Sequence, residues 1–171
     1  MLTPDNIHLP SLDGKFSSID LVNLIGHSTN SEALGMYMKQ LDIKARPKAT
    51  EALSFIKSKE LFVSLTFQDY LCYLDDSLNP PVDEGPFILL DVTFHSSQLW
   101  QLPYGIEFSA NSQSTEGKLG GPIKKVVKSS KKMVHHYVNG HLRVDVFYED
   151  DLVMEVRFSS LDKYDKMHGL A

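Results

Sequence analysis

The feature that most restricts the fold is a two-residue hydrophobic period that begins at Leu61 and recurs as far as Phe158. Apolar side chains occupy every second position in five segments: 61–67, 88–94, 104–108, 142–148 and 152–158. Such alternation predicts antiparallel strands with one face in the core and the other in water. Asn139-Gly140 predicts a hairpin turn, because this pair readily adopts two positive φ angles. With a second turn at 149–151, residues 132–158 are predicted to form a three-stranded meander.

Helical spacing occurs upstream of these strands. Residues 17–26 predict a short helix, with serines at its start and a glycine at its end. Thr29-x-x-Glu32 is a capping-box pattern, and it predicts a second helix from Asn30 to Leu41. Helices followed by a long run of antiparallel strands place the chain in the α+β class.

Two pairs of segments also match each other in sequence: 61–67 with 142–148, and 90–97 with 154–160. Each pair is preceded by a Leu-x-Gly element, at 24–26 and at 119–121. We therefore predict two similar modules, at residues 1–100 and 101–171, each with short helices and an antiparallel sheet. Units of this size bury too little surface to be secure alone, so we expect them to share one core.

Composition argues against several classes of protein. The net charge of −5 disfavours general nucleic-acid binding, and the single cysteine, Cys72, rules out an internal disulfide. No apolar run reaches the roughly 18 residues that a membrane span needs. The start of the chain has acids and prolines where a secretory leader has basic and apolar residues. We predict a cytoplasmic protein, monomeric or weakly dimeric, with neither nucleic acid nor membrane as a partner.

Charges are segregated along the sequence. Residues 60–116 contain nine acids and no Lys or Arg, whereas residues 118–132 contain six lysines and no acid. An acidic surface attracts a basic partner and suppresses wrong ones, so we predict a partner protein with a basic surface. The candidate acids, four of them on a predicted loop at 75–86, are Asp75, Asp76, Asp83, Glu84, Asp91 and Glu107.

The solvent face of the predicted sheet supplies further candidates. Large apolar groups inside a charged rim are typical of recognition surfaces. The alternative is that helices cover part of this face and make Phe62 and Leu89 core residues. The predicted partner-binding residues on this face are Phe62, Leu89, His136, His141, Arg143, Asp145 and Phe147, beside the acids above.

The histidines of the predicted hairpin suggest an enzymatic alternative. With Asn139-Gly140 as the turn, Arg143 is expected to pair with His136, which places His136, His141 and Asp145 on one face. Two imidazoles and a carboxylate are ligands for a transition metal, although diagonal neighbours across a hairpin lie far apart for one ion. Common hydrolase, phosphate-loop and dinucleotide motifs do not occur. Cys72 lies in an apolar run and is expected to be buried. We predict no catalytic residue, metal or cofactor, and keep a metal enzyme as the third alternative.

The last 70 residues contain Leu102-Pro-Tyr-Gly105, then Leu119-Gly-Gly-Pro122, then the strands at 142–148 and 152–158. This order resembles one repeat of the β-lactamase inhibitory protein-like fold, which also occurs in outer-membrane assembly lipoproteins of the SmpA/OmlA type. Tandem lipid-free copies resemble immunity proteins encoded beside bacterial polymorphic toxins. The family has a regular helix between the two turns, whereas 109–118 predicts a poor one. The resemblance implies an immunity protein that occludes the active site of a cognate toxin. The alternative is a non-inhibitory adaptor or chaperone for a secreted effector.

Overall fold

The computed structural model describes residues 16–170, so the inference drawn from the first fifteen residues lies outside the described part. The strands are β1 (Phe16–Ser17), β2 (Leu53–Ser58), β3 (Val63–Asp69), β4 (Phe87–His95), β5 (Trp100–Gln101), β6 (Lys124–Val127), β7 (Lys132–Asn139), β8 (Leu142–Glu149) and β9 (Leu152–Ser160). The helices are α1 (Ile19–Val22), α2 (Glu32–Gln40), α3 (Tyr70–Asp76), α4 (Ser112–Leu119) and α5 (Lys163–Met167).

Seven strands form one antiparallel sheet in the order β2-β3-β4-β9-β8-β7-β6, and β1 pairs with β5 in a separate parallel ribbon. The sheet is continuous across the two halves of the chain, because β4 pairs with β9 from Asp91–His95 to Glu155–Ser159. Helices with a large antiparallel sheet confirm the predicted α+β class. The predicted meander is confirmed as β7, β8 and β9.

The hydrophobic core lies against one face of this sheet, here called the core face. Leu24 near α1 and Leu34 of α2 are almost fully buried in one cluster with Phe94 of β4 and Phe158 of β9. The partly buried Leu119 shows that α4 packs against the same cluster. Because the two halves of the chain contribute to a single cluster, the core fixes the orientation of the opposite sheet face.

The opposite sheet face, here called the polar face, carries alternate residues of the central strands. In one row across the sheet, Ser64, Thr93, Arg157, Asp145 and His136 lie side by side. Neighbouring rows add Thr66, Asp91, Arg143, Phe147, Glu155 and His95. The predicted face therefore exists with a polar composition, but Thr66, Thr93 and Asp145 on it are buried.

Two local predictions about strands and turns are wrong. The hairpin between β7 and β8 pairs Asn139 with Leu142, so Gly140-His141 is its turn and His136 lies opposite Asp145, not Arg143. Residues 104–108 do not form a strand: Pro103–Gly105 is a 3-10 turn in which Tyr104 has a φ of 60°. A proline at the start of that segment favours a turn over a strand.

Besides α5, two helices occur where the sequence predicts none or a poor one: α3 and α4. In α3 the Asp69 carboxylate accepts hydrogen bonds from the N–H groups of Leu71 and Cys72, which caps the helix, and Cys72 itself is only half-buried. In α4 the Asn111 side chain accepts from the Ser114 N–H at 2.8 Å. Capping thus compensates for weak helix propensity, including that of Gly117. The capping-box prediction for α2 is also displaced, since the N-cap is Ser31 and not Thr29.

The matched sequence segments occupy equivalent positions in the sheet. The pair Ser64–Thr93 of β3 and β4 corresponds to Asp145–Arg157 of β8 and β9. The register shift between Thr66 and Phe67 recurs at the corresponding step, between Phe147 and Tyr148. This agreement supports the proposed repeat, and the division into two similar modules stays a prediction.

Candidate functional site

The polar face is organised around one partly buried guanidinium, that of Arg143. Arg143 Nε donates to Asp145 Oδ2 at 3.1 Å, and Arg143 Nη1 donates to Asp165 Oδ1 of α5. Asp145 Oδ1 also bonds with His136 Nδ1 at 2.7 Å. Burial opposes the charged form of Arg143, but Asp145 and Asp165 outweigh this effect and raise its pKa. The network holds α5 against the sheet and ties β7 to β8.

Asp165 connects this network to the start of α5. Its Oδ2 accepts from the Asp162 N–H at 3.0 Å, while its own N–H donates to Asp162 Oδ1 at 2.7 Å, which makes a capping box. The Asp165 side chain is fully inaccessible to solvent. A buried carboxylate of this kind needs its cation, so Arg143 and Asp165 are mutually dependent.

A second polar group lies towards β3 and β4. Glu155 Oε2 pairs with His95 Nδ1 at 3.0 Å, and His95 Nε2 bonds with the Ser64 hydroxyl at 2.9 Å. Arg157 places its guanidinium 5.3 Å from the centre of the Phe147 ring. A cation over an aromatic face is favourable and restricts both side chains, so this part of the face is also held in one arrangement.

At Asp91, the interactions with nearby groups do not fully offset the effect of burial on the ionised carboxylate. Burial raises its pKa, although Arg157 and a hydrogen bond of 2.9 Å from the Thr66 hydroxyl act in the opposite direction. The ionised form is therefore less stable in the folded chain than in water. A carboxylate with a raised pKa is found at functional sites as well as in structural networks.

An open cleft of about 440 Å³, here called the α5 cleft, lies between α5 and the sheet. Lys124, Lys128, Arg157, Tyr164 and His168 line its rim, and Val134, Phe147 and Leu170 supply apolar surface. A larger cleft of about 670 Å³ lies along residues 96–109, where Glu107 is the single charged lining residue. The α5 cleft is the one that adjoins the ordered charges of the polar face.

The structure places the predicted face residues in different surroundings. His136, Arg143, Asp145, Phe147 and Asp91 lie on the polar face, as predicted. Phe62, Leu89, His141 and Glu107 do not lie on the polar face.

Leu89 does not lie on the polar face: it is fully buried in the core, in line with the alternative prediction for this residue. The register shift between Thr66 and Phe67 places Leu89 opposite Phe67 and turns its side chain inward. Phe62 is 44% exposed, but it lies in the β2–β3 turn with a positive φ of 52° and not on the sheet face.

His141 and Glu107 are also displaced from the polar face. His141 lies in the hairpin turn, where its carbonyl accepts from Asn79 Nδ2 at 3.0 Å. The predicted face shared by His136 and His141 is therefore wrong. Glu107 lies on an exposed loop and pairs with Lys118 Nζ at 3.0 Å.

The acids predicted on one loop serve different roles. Asp75 and Asp76 end α3, and Asp76 accepts from Gln68 Nε2 at 2.8 Å. Asp83 accepts from the Ser28 N–H at 2.7 Å and bonds with His27 at 2.9 Å. Burial opposes ionisation of Asp83, but hydrogen bonds from Ser28 and His27 prevail and lower its pKa. Asp83 thus anchors the loop, whereas Glu84 is exposed.

Sequence reasoning missed the contribution of α5 and of β2. Asp165, Tyr164 and His168 come from a five-residue helix whose sequence-level signal was the Asp162-x-x-Asp165 capping pattern. Phe55 of β2 is 75% exposed and borders the polar face beside Ser64 and Thr66. Within residues 16–170, no three His, Cys, Asp or Glu side chains are grouped so as to hold a metal ion.

Comparison with protein-family models, with curated proteins and with solved structures finds no match. Of the helices that the structure describes, none has the length and apolar character needed to cross a bilayer.

Proposed function

We propose that the chain is an immunity protein that binds a cognate bacterial toxin in the cytoplasm and occludes its active site through the polar face. The observation that carries this proposal is a broad sheet face left open beside α5, with its charged side chains already held in place. Preorganised side chains lose little freedom on binding, and this favours tight inhibitory complexes.

Several contacts support recognition by this face. Arg157 over Phe147 offers an aromatic and a cation together, and Arg and aromatic residues dominate the energetics of protein interfaces. Phe55 adds a large exposed apolar group at one border. The Asp145–Arg143–Asp165 network keeps the floor of the face rigid, with both carboxylates buried and Arg143 only partly exposed.

The exposed acids Asp75, Asp76 and Glu84 give the proposal a second element. They carry negative charge on α3 and the loop that follows it, and such charge accelerates association with a basic partner. If the toxin grips phosphates with a basic site, these carboxylates compete for the same cations. Asp83 is left out of this set because it anchors the loop.

The test is co-expression with the toxin encoded beside the gene for this chain, scored by growth. We expect the wild-type chain to protect, and the double variant Arg157→Glu/Phe147→Ala to lose protection. The control with the same kind of charge reversal is Lys39→Glu at an exposed lysine of α2, a helix that packs on the core face. Full protection by the polar-face variant, produced at the same level, would contradict the proposal.

The runner-up is a non-inhibitory adaptor or chaperone for a secreted effector. Both functions require binding, so the discriminating measurement is the activity of the purified partner with one equivalent of the chain. An immunity protein abolishes that activity, whereas an adaptor leaves it unchanged. The third alternative, a metal enzyme at His136 and His141, loses its geometric basis because His141 lies in the turn and His136 is bonded to Asp145.

A further inference from the structure

We infer that the α5 cleft is the docking site for an acidic side chain, Asp or Glu, presented by the partner protein. This inference rests on the proposed function, in which the polar face contacts a protein. It specifies one contact with the partner and assigns it to lysines, whereas the sequence analysis assigned binding to the acids.

The acids that line the α5 cleft are neutralised within the protein. Asp145 and Asp165 are the two carboxylates that line it, and both are inaccessible, with side chains 4% and 0% exposed. Arg143 lies between them and His136 bonds to Asp145. Their negative charge is therefore matched within the protein, and a ligand entering the cleft meets little of it.

The lysine tract at 118–132 contains both paired and unpaired lysines. Four of its six lysines pair with acids: Lys118 with Glu107, Lys125 with Glu116, Lys131 with Asp150 and Lys132 with Glu149. The other two, Lys124 and Lys128, form no ion pair within residues 16–170, and both line the α5 cleft. The unmatched cations of the tract are thus the ones that converge on this site.

The strand geometry of β6 explains this division. Successive side chains of a strand point to opposite faces. Lys125 pairs with Glu116 of α4, which packs on the core-face side, whereas Lys124 lies opposite His136 and shares its face. In β6, Lys124 therefore faces the α5 cleft, and the following residue, Lys125, forms an ion pair with Glu116.

The lining of the α5 cleft selects the kind of anion. Arg157 is held over Phe147 at the cleft, but its charge also acts on Asp91 and Glu155, so Lys124 and Lys128 supply the unpaired positive charge. Val134, Phe147 and Leu170 offer apolar surface beneath the cations, and Tyr164 is 60% exposed at the rim. A carboxylate on a short apolar stem satisfies both features, and Asp and Glu side chains have this form.

The inference is tested without any toxin, by NMR titration of the full-length labelled chain with a tetraglutamate peptide and, separately, a tetralysine peptide. We expect tetraglutamate at up to about 10 mM to shift the resonances of Lys124, His136, Arg157 and His168, and tetralysine to leave them unchanged. Lys124→Glu/Lys128→Glu should weaken tetraglutamate binding by about tenfold.

The matched control is Lys39→Glu/Lys59→Glu, which makes the same change in net charge at exposed lysines outside the cleft and without an ion pair in the described chain. We expect the control to bind tetraglutamate as the wild type does. Equal weakening by both double variants, or shifts spread over the surface, would overturn the inference. So would inorganic phosphate binding at the cleft more tightly than the peptide, since that would assign a free-anion site.

The titration and the protection assay fail independently. Absence of tetraglutamate binding overturns the acidic contact and leaves the proposed immunity function standing. Binding by the cleft in a chain that protects against no toxin overturns the proposed function and leaves the anionic contact intact.

Discussion

Replacing Asp165 by Asn tests whether the buried network holds α5 onto the sheet. The variant keeps an oxygen that can accept from the Asp162 N–H but removes the charge that faces Arg143. A charge pair separated by roughly 3 Å has about 5 kcal/mol of attraction at an effective dielectric constant near 20. Desolvation of the carboxylate opposes most of this attraction in the intact pair, yet the guanidinium left behind is still largely shielded from water.

Breaking a buried pair by removing one partner costs about 3–5 kcal/mol. Arg143 retains Asp145 and is 19% exposed, so the lower end applies, and we expect Asp165→Asn to lower the free energy of unfolding by about 3 kcal/mol. For a chain of this length that corresponds to a fall in Tm of roughly 6–12 °C. Urea denaturation measures the free energy. Amide exchange at Leu170, whose N–H bonds to the Asp165 carbonyl, reports whether α5 stays docked.

A double-mutant cycle with Arg143→Met isolates the pair. We expect a coupling energy of about 2 kcal/mol between residues 143 and 165. The exposed pair Lys131–Asp150, 3.7 Å apart, is the matched control, and Asp150→Asn should change stability by less than about 0.5 kcal/mol. A loss below about 0.5 kcal/mol in Asp165→Asn, with exchange at Leu170 unchanged, would refute the view that this network fixes α5.

Three further predictions concern single side chains. Asp91→Asn should raise the Tm at pH 7, because burial raises the Asp91 pKa and so penalises the ionised form, which the amide replaces; a lower Tm would contradict this. Burial lowers the pKa of His135, so the unfolded chain binds more protons, and the free energy of unfolding should fall as pH decreases below about 6.5. A His135→Gln variant with the same pH dependence between pH 7 and 5 would assign the loss to another group. Leu89→Ala should cost about 2–5 kcal/mol in urea denaturation, as for other fully buried leucines, and a cost below about 1 kcal/mol would show that the site collapses without a cavity.

Period-two alternation predicted the central strands because one face of each is buried and the other is not. It failed for Leu89 because a one-residue register shift reverses which face a side chain occupies, and nothing in a single strand's sequence marks the shift. It also failed for residues 104–108, where the turn chemistry of Pro103 and the positive φ at Tyr104 prevail over the hydrophobic pattern.

The candidate site was only partly predictable for a different reason. His136, Arg143 and Asp145 could be placed on one face from alternation alone, since they lie on adjacent strands of a hairpin. Asp165 could not, because its contact with Arg143 spans 22 residues and depends on how α5 folds back over the sheet. Charge segregation indicated the lysine tract, but which lysines are neutralised depends on tertiary partners such as Glu116 and Glu149.

The two outer strands of the sheet, β2 and β6, differ in the features that prevent backbone pairing with another chain. β6 is short and carries lysines, a common defence of an exposed sheet edge, whereas β2 exposes Leu53 and Phe55 and has Lys57 as its one charge. Charge therefore opposes backbone pairing between copies more strongly at β6 than at β2. Two β2 edges that pair leave only lysine-bearing ends outside, so association by this route closes at two copies and does not propagate into a fibre.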